Sequence, residues 1–443
     1  MEKFIIEGGR KLKGSISVSG SKNVALKALV AACLTEEKVV IENIPLISDF
    51  MIMIDIIEEF GGSVQIKDHT AIIQVKKIKD GKMSLDKAAA VRTSAMFMAP
   101  LLVRNKKALI PNPGGCRIGA RPIDRIIAGL KKMGVETKYN SRDGYFHLEV
   151  KGLIKGIEYI FNKNTHTGTE TLILISVLSN GRTILKNAAA EPEVDDLISL
   201  LNMMGAKIKR TETRTIIIDG VKKLEGTKYR IPPDRNEIVT FAIATILTKG
   251  DIFIKDIVNT GLSEFLKLFH ACGGGFREEK NGIRFYYKGQ ISAADIETTF
   301  YPGFMTDWQG PWAVLMTQAK GISIIHETVY ESRFGYVDEL EKMGAKIKFF
   351  NPKVKDPEKV YNFNYEDNRP ECKHAIKIYG GIRFHNAVAN ISDLRAGATL
   401  VLAALAANGK TVIFGVEHLD RGYEQFEKRL KFLGANIERI TEN

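Results

Sequence analysis

The chain has 443 residues, of which 44% are apolar and 26% are charged, and its formal net charge at pH 7 is +12. These values are typical of a folded protein with a large core, and they exclude a disordered tail, a collagen-like fibre and a disulfide-stapled miniprotein. The length predicts two or three domains. The positive charge suits either nucleic acid or a small anionic substrate. Because the lysines are spread along the chain and no nucleic-acid-binding motif is present, we expect an anionic substrate and no nucleic acid.

The cysteines lie far apart in the sequence, without a CxxC pair, at Cys33, Cys116, Cys272 and Cys372. This spacing matches neither a zinc ribbon nor a disulfide framework, so we expect reduced thiols. The first residues lack the charged-then-apolar pattern of a signal peptide. The apolar runs reach about a dozen residues, whereas a helix needs ~20 to cross a bilayer. We therefore expect a cytoplasmic protein that does not bind a membrane.

A glycine that follows a hydrophobic residue and precedes a strand-like run recurs six times. Successive copies are 68 to 90 residues apart, which indicates six repeats of a unit of about 70 residues. Each glycine lies where a helix C-cap is expected. The recurring glycines are Gly61, Gly134, Gly205, Gly273, Gly344 and Gly434.

Each repeat is predicted to run β-α-β-α-β. It opens with an extended segment, as at residues 15–19, 157–161 and 387–391. Next comes a helix that is apolar on all sides and therefore buried, over residues 24–33, 93–103, 170–178, 238–247, 311–318 and 396–407. A β-branched strand follows, over residues 39–44, 108–111, 183–185, 252–257, 322–325 and 411–414.

The second half of each repeat is predicted to be an amphipathic helix and a short strand. Apolar residues at i, i+3 and i+4 predict such helices over residues 124–133 and 424–433. The closing strands include residues 206–209, 345–348 and 435–438. The polar segment 351–382 interrupts the pattern and is predicted to be an inserted loop or hairpin.

Polar residues collect at the start of each buried helix. Four of the six starts carry a cation, namely Lys22, Arg92, Arg235 and Arg395. Cations there oppose the helix dipole, which favours anions. One interpretation is that Ser21, Asp234, Thr306 and Asp393 are N-caps with solvated basic neighbours. The interpretation we favour is an anion-binding site where several of these starts converge.

The loop at residues 111–124 contains three glycines and three prolines within twelve residues, a composition typical of a mobile or tightly turned segment. Cys116 lies there between Gly115 and Arg117, with Arg121 nearby. Positive surroundings favour the thiolate, which makes Cys116 a candidate reactive group. The alternative is an incidental loop thiol. Cys33 and Cys272 lie in apolar helices and are predicted to fill the core.

Several of these motifs together resemble the enolpyruvyl transferases, and among them those that act on UDP-N-acetylglucosamine. The resemblance is collinear and covers essentially the whole chain. The sister enzymes that act on shikimate 3-phosphate share the sixfold repeat but lack the cysteine loop, and they are the alternative, together with a non-catalytic UDP-sugar-binding relative. The motifs are residues 19–23, 114–122, 306–307, 327–334, 393–395 and 420–424.

The resemblance implies a two-domain inside-out α/β barrel built from the six repeats. Residues 1–21 and 232–443 would form the first domain, and residues 22–231 the second, which carries the Cys116 loop. The implied reaction transfers the carboxyvinyl group of phosphoenolpyruvate to the 3-hydroxyl of UDP-N-acetylglucosamine and releases phosphate. This is the first committed step of peptidoglycan synthesis, and it needs no metal or organic cofactor.

The resemblance also implies roles for individual residues. Cys116 would be the acid that protonates the methylene carbon, and Asp307 would accept the hydroxyl proton, with Asp393 as a possible helper or simply an N-cap. Lys22, Arg121 and Arg421 would hold the phosphate, and Arg395 and Arg92 would complete the cage of cations. The implied substrate-binding residues are Lys22, Asn23, Arg92, Arg121, Pro122, Ile123, Asp124, Arg125, Lys163, Thr167, Gly168, Asp307 and Val329.

The chain departs from the family pattern at four places. Arg125 and Ile126 stand where Leu-His is common, and His166 is an additional residue in the sugar-nucleotide loop. Lys27 replaces a common proline, and the segment 351–382 is unusual. The residues implied in catalysis are all present.

Overall fold

The computed structural model describes residues 2–115, 118–257 and 261–441. The chain folds into two compact units, each with its own sheets and helices. The short segment 117–121, which the resemblance places in the second domain, belongs to unit 1. Unit 1 comprises Met1–Ser19, Arg117–Arg121 and Pro233–Asn443, and unit 2 comprises Gly20–Cys116 and Pro122–Pro232.

Short strands run the length of the chain and form small sheets. In chain order they are β1 (Glu2–Glu7), β2 (Lys13–Ile16), β3 (Val39–Glu42), β4 (Ser63–Lys67), β5 (Thr70–Gln74), β6 (Lys107–Pro111), β7 (Glu136–Asn140), β8 (Tyr145–Glu149), β9 (Glu158–Ile160), β10 (Arg182–Lys186), β11 (Lys207–Glu212), β12 (Thr215–Asp219), β13 (Lys228–Arg230), β14 (Asp251–Lys255), β15 (Gly275–Glu279), β16 (Gly282–Tyr286), β17 (Ile296–Glu297), β18 (Ile322–His326), β19 (Lys346–Phe350), β20 (Ala375–Tyr379), β21 (Val388–Asn390), β22 (Lys410–Phe414) and β23 (Asn436–Thr441).

Helices alternate with these strands. In chain order they are α1 (Lys22–Ala32), α2 (Ser48–Glu59), α3 (Leu85–Ala90), α4 (Met98–Asn105), α5 (Asp124–Lys132), α6 (His166–Ser176), α7 (Pro192–Met203), α8 (Arg235–Leu247), α9 (Ser263–Ala271), α10 (Gln309–Gln318), α11 (Val337–Lys342), α12 (Pro357–Val360), α13 (Leu394–Ala406), α14 (Glu417–Asp420) and α15 (Phe426–Phe432). Short 3₁₀ helices cover Arg92–Phe97, Thr306–Trp308 and Tyr365–Asp367.

The sheets repeat one mixed pattern. In unit 1 the strand orders are β21-β22-β1-β23, β15-β16-β14-β2 and β17-β18-β20-β19. In unit 2 they are β11-β12-β10-β9, β13-β3-β5-β4 and β6-β8-β7. In one example, Leu185 of β10 pairs in parallel with Tyr159 of β9 and antiparallel with Ile216 of β12. In the three-stranded sheet, a single parallel bridge from Lys82 to Leu109 lies where the other sheets have their parallel strand.

Each repeat also contains a strand that the sequence pattern did not predict. It forms a hairpin with the closing strand, as where β5 pairs with β4 and Ile73 lies opposite Val64. In the last repeat β1 supplies this strand from the beginning of the chain and lies between β22 and β23. In the four repeats where a short turn joins the two strands, the turn hid the second strand, because the apolar alternation continues through both. The six-repeat α/β architecture is confirmed.

The predicted buried helices are confirmed, but they begin earlier than the apolar pattern indicates. In unit 1, α8, α10 and α13 pack against one another, and every residue of α8 from Arg235 to Ile246 is buried. The helix predicted over residues 93–103 is a 3₁₀ turn followed by α4. The helix starts were missed because they are polar, although those of α8, α10 and α13 in unit 1 are buried.

The segment that interrupts the repeats is a long connection from β19 to β20. It contains α12 and the last 3₁₀ turn, and β20 itself is a central strand of its sheet. Its rings pack together, with centroids 5.1 Å apart for Tyr361 and Phe363 and 4.7 Å apart for Tyr361 and His374. The prediction of an inserted loop therefore holds for its first part, while its end belongs to the repeat.

Membrane crossing needs a long apolar helix, and none of the helices in the described ranges has the required length and apolarity.

The packing of the three central helices of unit 1 gives a stability prediction. Leu400 of α13 is fully buried, so we expect Leu400→Ala to lower the free energy of unfolding by about 2–5 kcal/mol through lost burial and a cavity. Phe432→Ala is the control, because that ring is 75% exposed on α15, and its effect should stay below about 0.5 kcal/mol. Urea unfolding followed by circular dichroism measures both, and equal effects would contradict the packing.

Candidate functional site

Four charged residues of unit 1 form one cluster, which we call the Asp307 cluster: Asp307, Arg333, Asp393 and Arg395. The Arg333 guanidinium donates to one Asp307 oxygen at 2.8 Å, and Arg395 donates to the other at 3.0 Å. A second nitrogen of Arg333 lies 3.6 Å from Asp393. Asp307 lies on the 3₁₀ turn before α10, whereas Asp393 and Arg395 begin α13. Two neighbouring helix starts therefore bring these charges together.

The two guanidinium groups of the cluster are buried, whereas the Asp307 carboxylate is partly exposed. The Arg333 side chain is 4% exposed and Arg395 is 10% exposed, whereas Asp307 is 26% exposed. Burial acts to lower the pKa of each guanidinium, but Asp307 and the other acidic groups nearby together outweigh it, and both arginine pKa values are raised. The cluster thus offers fixed cations for an anion and an accessible carboxylate that can accept a proton.

Tyr423 extends this cluster into the core of unit 1. Its hydroxyl accepts a hydrogen bond from Arg395 at 3.3 Å and lies 2.7 Å from the Thr240 hydroxyl on α8. Burial raises the pKa of Tyr423, so the phenol stays neutral. The orientation of Arg395 is therefore fixed from both sides, by Asp307 and by Tyr423.

Two of the predicted N-caps in unit 1 are confirmed. Asp393 accepts from the backbone N–H of Arg395 at 2.9 Å, and Asp234 accepts from that of Asn236 at 2.7 Å. Arg235 is buried beside Asp234, with its guanidinium 5.6 Å from the ring centre of Trp308. The cation of this helix start therefore contacts an aromatic ring as well as the polar groups around it.

The predicted N-cap role of Thr306 is wrong. Its hydroxyl donates to the Glu327 carboxylate at 2.9 Å, and the 3₁₀ turn that Thr306 begins has no side-chain cap. Thr306 is therefore part of the turn itself, and its O–H donates to the buried Glu327 carboxylate. Ser21 of unit 2 is confirmed as the cap of α1, accepting from the N–H of Val24 at 3.5 Å.

Glu327 organises the segment that contains Val329. One carboxylate oxygen accepts from the N–H groups of Val329 and Tyr330 at 2.8 and 3.0 Å. The other accepts from Thr306 and from the Gln309 amide at 2.9 and 3.2 Å. Burial raises the pKa of Glu327, although Arg333 and these hydrogen bonds oppose the rise. The backbone at Val329 is thereby held in one conformation.

Residues 118–121 pack on this same part of unit 1. The N–H of Ala120 donates to the Glu331 carboxylate, and the carbonyl of Ile118 accepts from the N–H of Ser332 at 3.2 Å. Gly119 has a φ of +151°, and a side chain there would collide with Glu331. Arg121 lies with its guanidinium 5.4 Å from the ring centre of Tyr330.

In unit 2, Lys22 begins α1 and its ammonium lies 2.7 Å from the Asp49 carboxylate. Asp49 is almost fully buried and lies in the first turn of α2. Asn23 follows Lys22 and is partly buried. Asp49 therefore fixes the position of a cation at the start of a buried helix, where the dipole alone would repel it.

The loop before Cys116 is anchored to the end of α3. The Arg92 guanidinium donates to the carbonyl of Pro113 at 2.9 Å, and the Gly114 N–H donates to the carbonyl of Ala88 at 3.1 Å. A side chain at Gly114 would collide with the carbonyl of Ala89, so only glycine fits. Cys116 and Arg117 themselves lie outside the described residues.

The two segments expected to bind the nucleotide sugar meet in unit 2. The Arg125 guanidinium donates to the carbonyl of Asn164 at 3.3 Å. Thr165 caps α6 by accepting from the N–H of Gly168 at 3.2 Å. Pro122 and Asp124 are exposed, Ile123 is buried, and Lys163 and Thr167 are partly buried. The structure thus brings residues 122–125 and 163–168 together.

Arg421 ends α14 and is half-buried. α14 packs against α13, the buried helix whose first turn contains Arg395. Arg421 therefore belongs to the same part of unit 1 as Arg395.

Four residues of the site were not predicted from the sequence: Arg333, Glu327, Tyr423 and Asp49. The first three lie inside the motifs at residues 327–334 and 420–424, so these motifs could have indicated them as site residues. Nothing in the sequence links Asp49 to Lys22.

The prediction that Cys33 and Cys272 fill the core is confirmed. Both are buried, and their thiols lie 3.3 Å from the carbonyl of Leu29 and 3.2 Å from the carbonyl of Phe269. Burial raises the pKa of Cys33 to about 12 and also raises the pKa of Cys272. Neither thiol is suited to react as a thiolate near neutral pH.

Comparison with known proteins identifies relatives over the full length. Residues 6–430 match the family described as EPSP synthase (3-phosphoshikimate 1-carboxyvinyltransferase). A UDP-N-acetylglucosamine 1-carboxyvinyltransferase of Koribacter versatilis is 40% identical over 446 residues, covering 100% of this chain and 97% of the relative. A protein of the same name from Endomicrobium trichonymphae is 40% identical with full coverage of both chains.

Solved structures of similar fold include the enolpyruvyl transferase NikO from Streptomyces tendae. It superposes with a TM-score of 0.85 at 22% identity, covering 100% of this chain and 99% of the other. An EPSP synthase from Acinetobacter baumannii superposes with a TM-score of 0.72 at 18% identity and full coverage of both chains. These similarities establish a shared fold. They do not identify the substrate, which has to be inferred from the more similar sequences.

The four donors around Glu327 give a prediction for the site. In Glu327→Gln the amide NH₂ would face N–H or O–H donors, so we expect a loss of roughly 1–3 kcal/mol in the free energy of unfolding. The control Glu341→Gln changes an exposed carboxylate and should cost less than about 0.5 kcal/mol. Denaturant titration of the three proteins measures both, and a Glu327→Gln variant as stable as the control would contradict the described geometry.

Proposed function

The chain belongs to the enolpyruvyl transferase family, and on that basis we propose that it transfers the carboxyvinyl group of phosphoenolpyruvate to the 3-hydroxyl of UDP-N-acetylglucosamine. The products are inorganic phosphate and the enolpyruvyl ether of the nucleotide sugar. This reaction makes the protein a transferase of peptidoglycan synthesis and cell-wall formation.

The observation that carries this proposal is the full-length identity of 40% with relatives named for this reaction. The fold alone does not choose the acceptor, because the solved EPSP synthase has the same fold at 18% identity. The loop around Cys116 supports the same choice, since it matches the enzymes that act on UDP-N-acetylglucosamine. Shikimate 3-phosphate is therefore the less favoured acceptor.

The Asp307 cluster is suited to one half of this chemistry. Addition of the sugar to the enol carbon needs a base for the hydroxyl proton, and Asp307 is the accessible carboxylate of the cluster. Arg395 and Arg333 hold it in place through one hydrogen bond to each oxygen. Arg395 is also a bidentate donor suited to the carboxylate of phosphoenolpyruvate. Asp393 is then a helix cap that supports Arg395.

Further cations are proposed from Lys22 and Arg92 of unit 2 and from Arg121 and Arg421 of unit 1. Lys22, oriented by Asp49, is proposed to bind the phosphate, together with Arg121 and Arg421. Arg92 both anchors the cysteine loop through Pro113 and adds positive charge for the substrate. Phosphoenolpyruvate carries a phosphate and a carboxylate, so a set of several cations is the recognition that its charge requires.

The reaction proceeds by addition and elimination. The sugar oxygen bonds to the enol carbon as its proton passes to Asp307, and Cys116 gives a proton to the methylene carbon. The bond from the enol carbon to the phosphate oxygen then breaks, and the Cys116 thiolate takes a proton back from the methyl group, which restores the double bond and the thiol. The nucleotide sugar is held by residues 121–125, by Lys163, Thr167 and Gly168, and by Val329 and Asn23.

The direct test measures phosphate release from phosphoenolpyruvate with one acceptor at a time. We expect release with UDP-N-acetylglucosamine and none with shikimate 3-phosphate. Release only with shikimate 3-phosphate would show that the protein catalyses the alternative reaction. Binding of the UDP-sugar without release would identify a non-catalytic relative, and calorimetry with that ligand detects this outcome.

Substitution of single cysteines tests the proposed acid. Cys116→Ala should lower the rate of phosphate release by at least about 100-fold, the range expected when a general acid is lost. Cys33→Ala and Cys272→Ala are matched controls, because both thiols are buried in the core, and they should keep the wild-type rate once folded. Full activity of Cys116→Ala would overturn the acid assignment.

A further inference from the structure

Three ionisable residues of unit 2 share one buried carboxylate. The Glu170 side chain on α6 is fully buried, and its two oxygens face different cations. Lys27 of α1 lies 3.3 Å from one oxygen, and His166 lies 3.1 Å from the other. We call Lys27, His166 and Glu170 the buried triad. Two of its members, Lys27 and His166, are departures from the family pattern, and both contact the same carboxylate.

The charges of the triad depend on one another. Within the described ranges, neither Glu170 oxygen accepts a well-directed hydrogen bond, so the two cations provide its charge compensation. The Lys27 side chain is only 6% exposed. Removing one member leaves an uncompensated buried charge, which costs far more than losing a surface ion pair.

His166 faces charges from three elements. Burial acts to lower its pKa, but Glu170 on its own helix raises it, Lys27 on α1 lowers it and Glu191 before α7 raises it again. The net direction is upward. Glu191 in turn interacts with Arg214.

The triad connects two helix starts that the proposed function uses. α1 begins with Lys22 and Asn23, and α6 begins with His166, Thr167 and Gly168. Lys27 lies in the second turn of α1 and Glu170 in the second turn of α6, so their contact fixes one helix against the other. A shift at this contact moves the backbone that presents the substrate-binding groups.

We propose that the buried triad is a positioning device for the nucleotide-sugar loop, in which Glu170 holds α1 and α6 in register through Lys27 and His166. The inference rests on the proposed function, because it assigns Thr167 and Gly168 to the UDP-sugar. Its members act through other residues and do not touch the reacting atoms. A loss of the triad therefore weakens binding of the UDP-sugar more than it slows the chemical step.

The test compares Lys27→Met, Glu170→Gln and the double variant with the wild type. Phosphate release is measured while UDP-N-acetylglucosamine and phosphoenolpyruvate are varied separately, and thermal unfolding is followed in parallel. The control is Lys186→Met, which breaks a 2.6 Å ion pair with Glu158 whose two side chains are about half exposed. This pair lies in the same unit and is outside the proposed site.

We expect the KM for UDP-N-acetylglucosamine to rise between about 10-fold and 100-fold in the single variants, as when binding groups are misplaced. The KM for phosphoenolpyruvate and kcat should change by less than about threefold, and the control should match the wild type. The double variant should regain part of the thermal stability, because the Lys27 ammonium and the Glu170 carboxylate are removed together, yet keep the raised KM.

Two results would overturn the proposal. One is a wild-type KM for the UDP-sugar in the folded double variant. The other is an equal change in both KM values together with a fall in kcat, which would indicate general damage to the fold. If the wild-type protein neither binds the UDP-sugar in calorimetry nor releases phosphate in its presence, the proposed function is refuted, and the inference with it.

Discussion

The structure depends on one constraint: helices that are buried on all sides must begin with polar groups that are also buried. α8 and α13 are buried almost from end to end, so the open N–H groups at their starts cannot rely on water. Asp234 and Asp393 satisfy them as caps. The helix starts of each unit are therefore polar centres inside an apolar unit, and they are the natural places for charged chemistry.

Charge compensation then determines which side chains these centres contain. Cations at a helix start are unfavourable by themselves, and each is held by a specific acceptor. Asp307 holds Arg395 and Asp49 holds Lys22, and one turn further along α1 Glu170 holds Lys27 in the same way. The same pairing that makes the cations tolerable also fixes their positions. A preorganised set of cations needs little rearrangement to receive an anionic substrate, which favours catalysis by electrostatic stabilisation.

The fold and the acceptor are decided at different levels. The repeated sheets and buried helices are common to enzymes with different acceptors, as the 18% identity to a solved EPSP synthase illustrates. We propose that the acceptor is recognised by short segments outside the sheets, such as residues 118–121, which pack on Glu331 and Ser332. Variation in those segments can change the substrate without disturbing the core.

The sequence by itself determined the six repeats, the buried helices and the cations at their starts, because apolar runs and recurring glycines are local signals. It also indicated the family through motifs that are local in the chain. Only the tertiary structure decided which charges pair. Arg333 with Asp307, Lys22 with Asp49 and Lys27 with Glu170 are 26, 27 and 143 residues apart, and no periodic pattern links such positions. The hairpin strand of each repeat and the contact of Thr306 with Glu327 likewise depend on partners that lie apart in sequence. A pattern predicts which face is buried, whereas packing in three dimensions decides what each buried charge contacts.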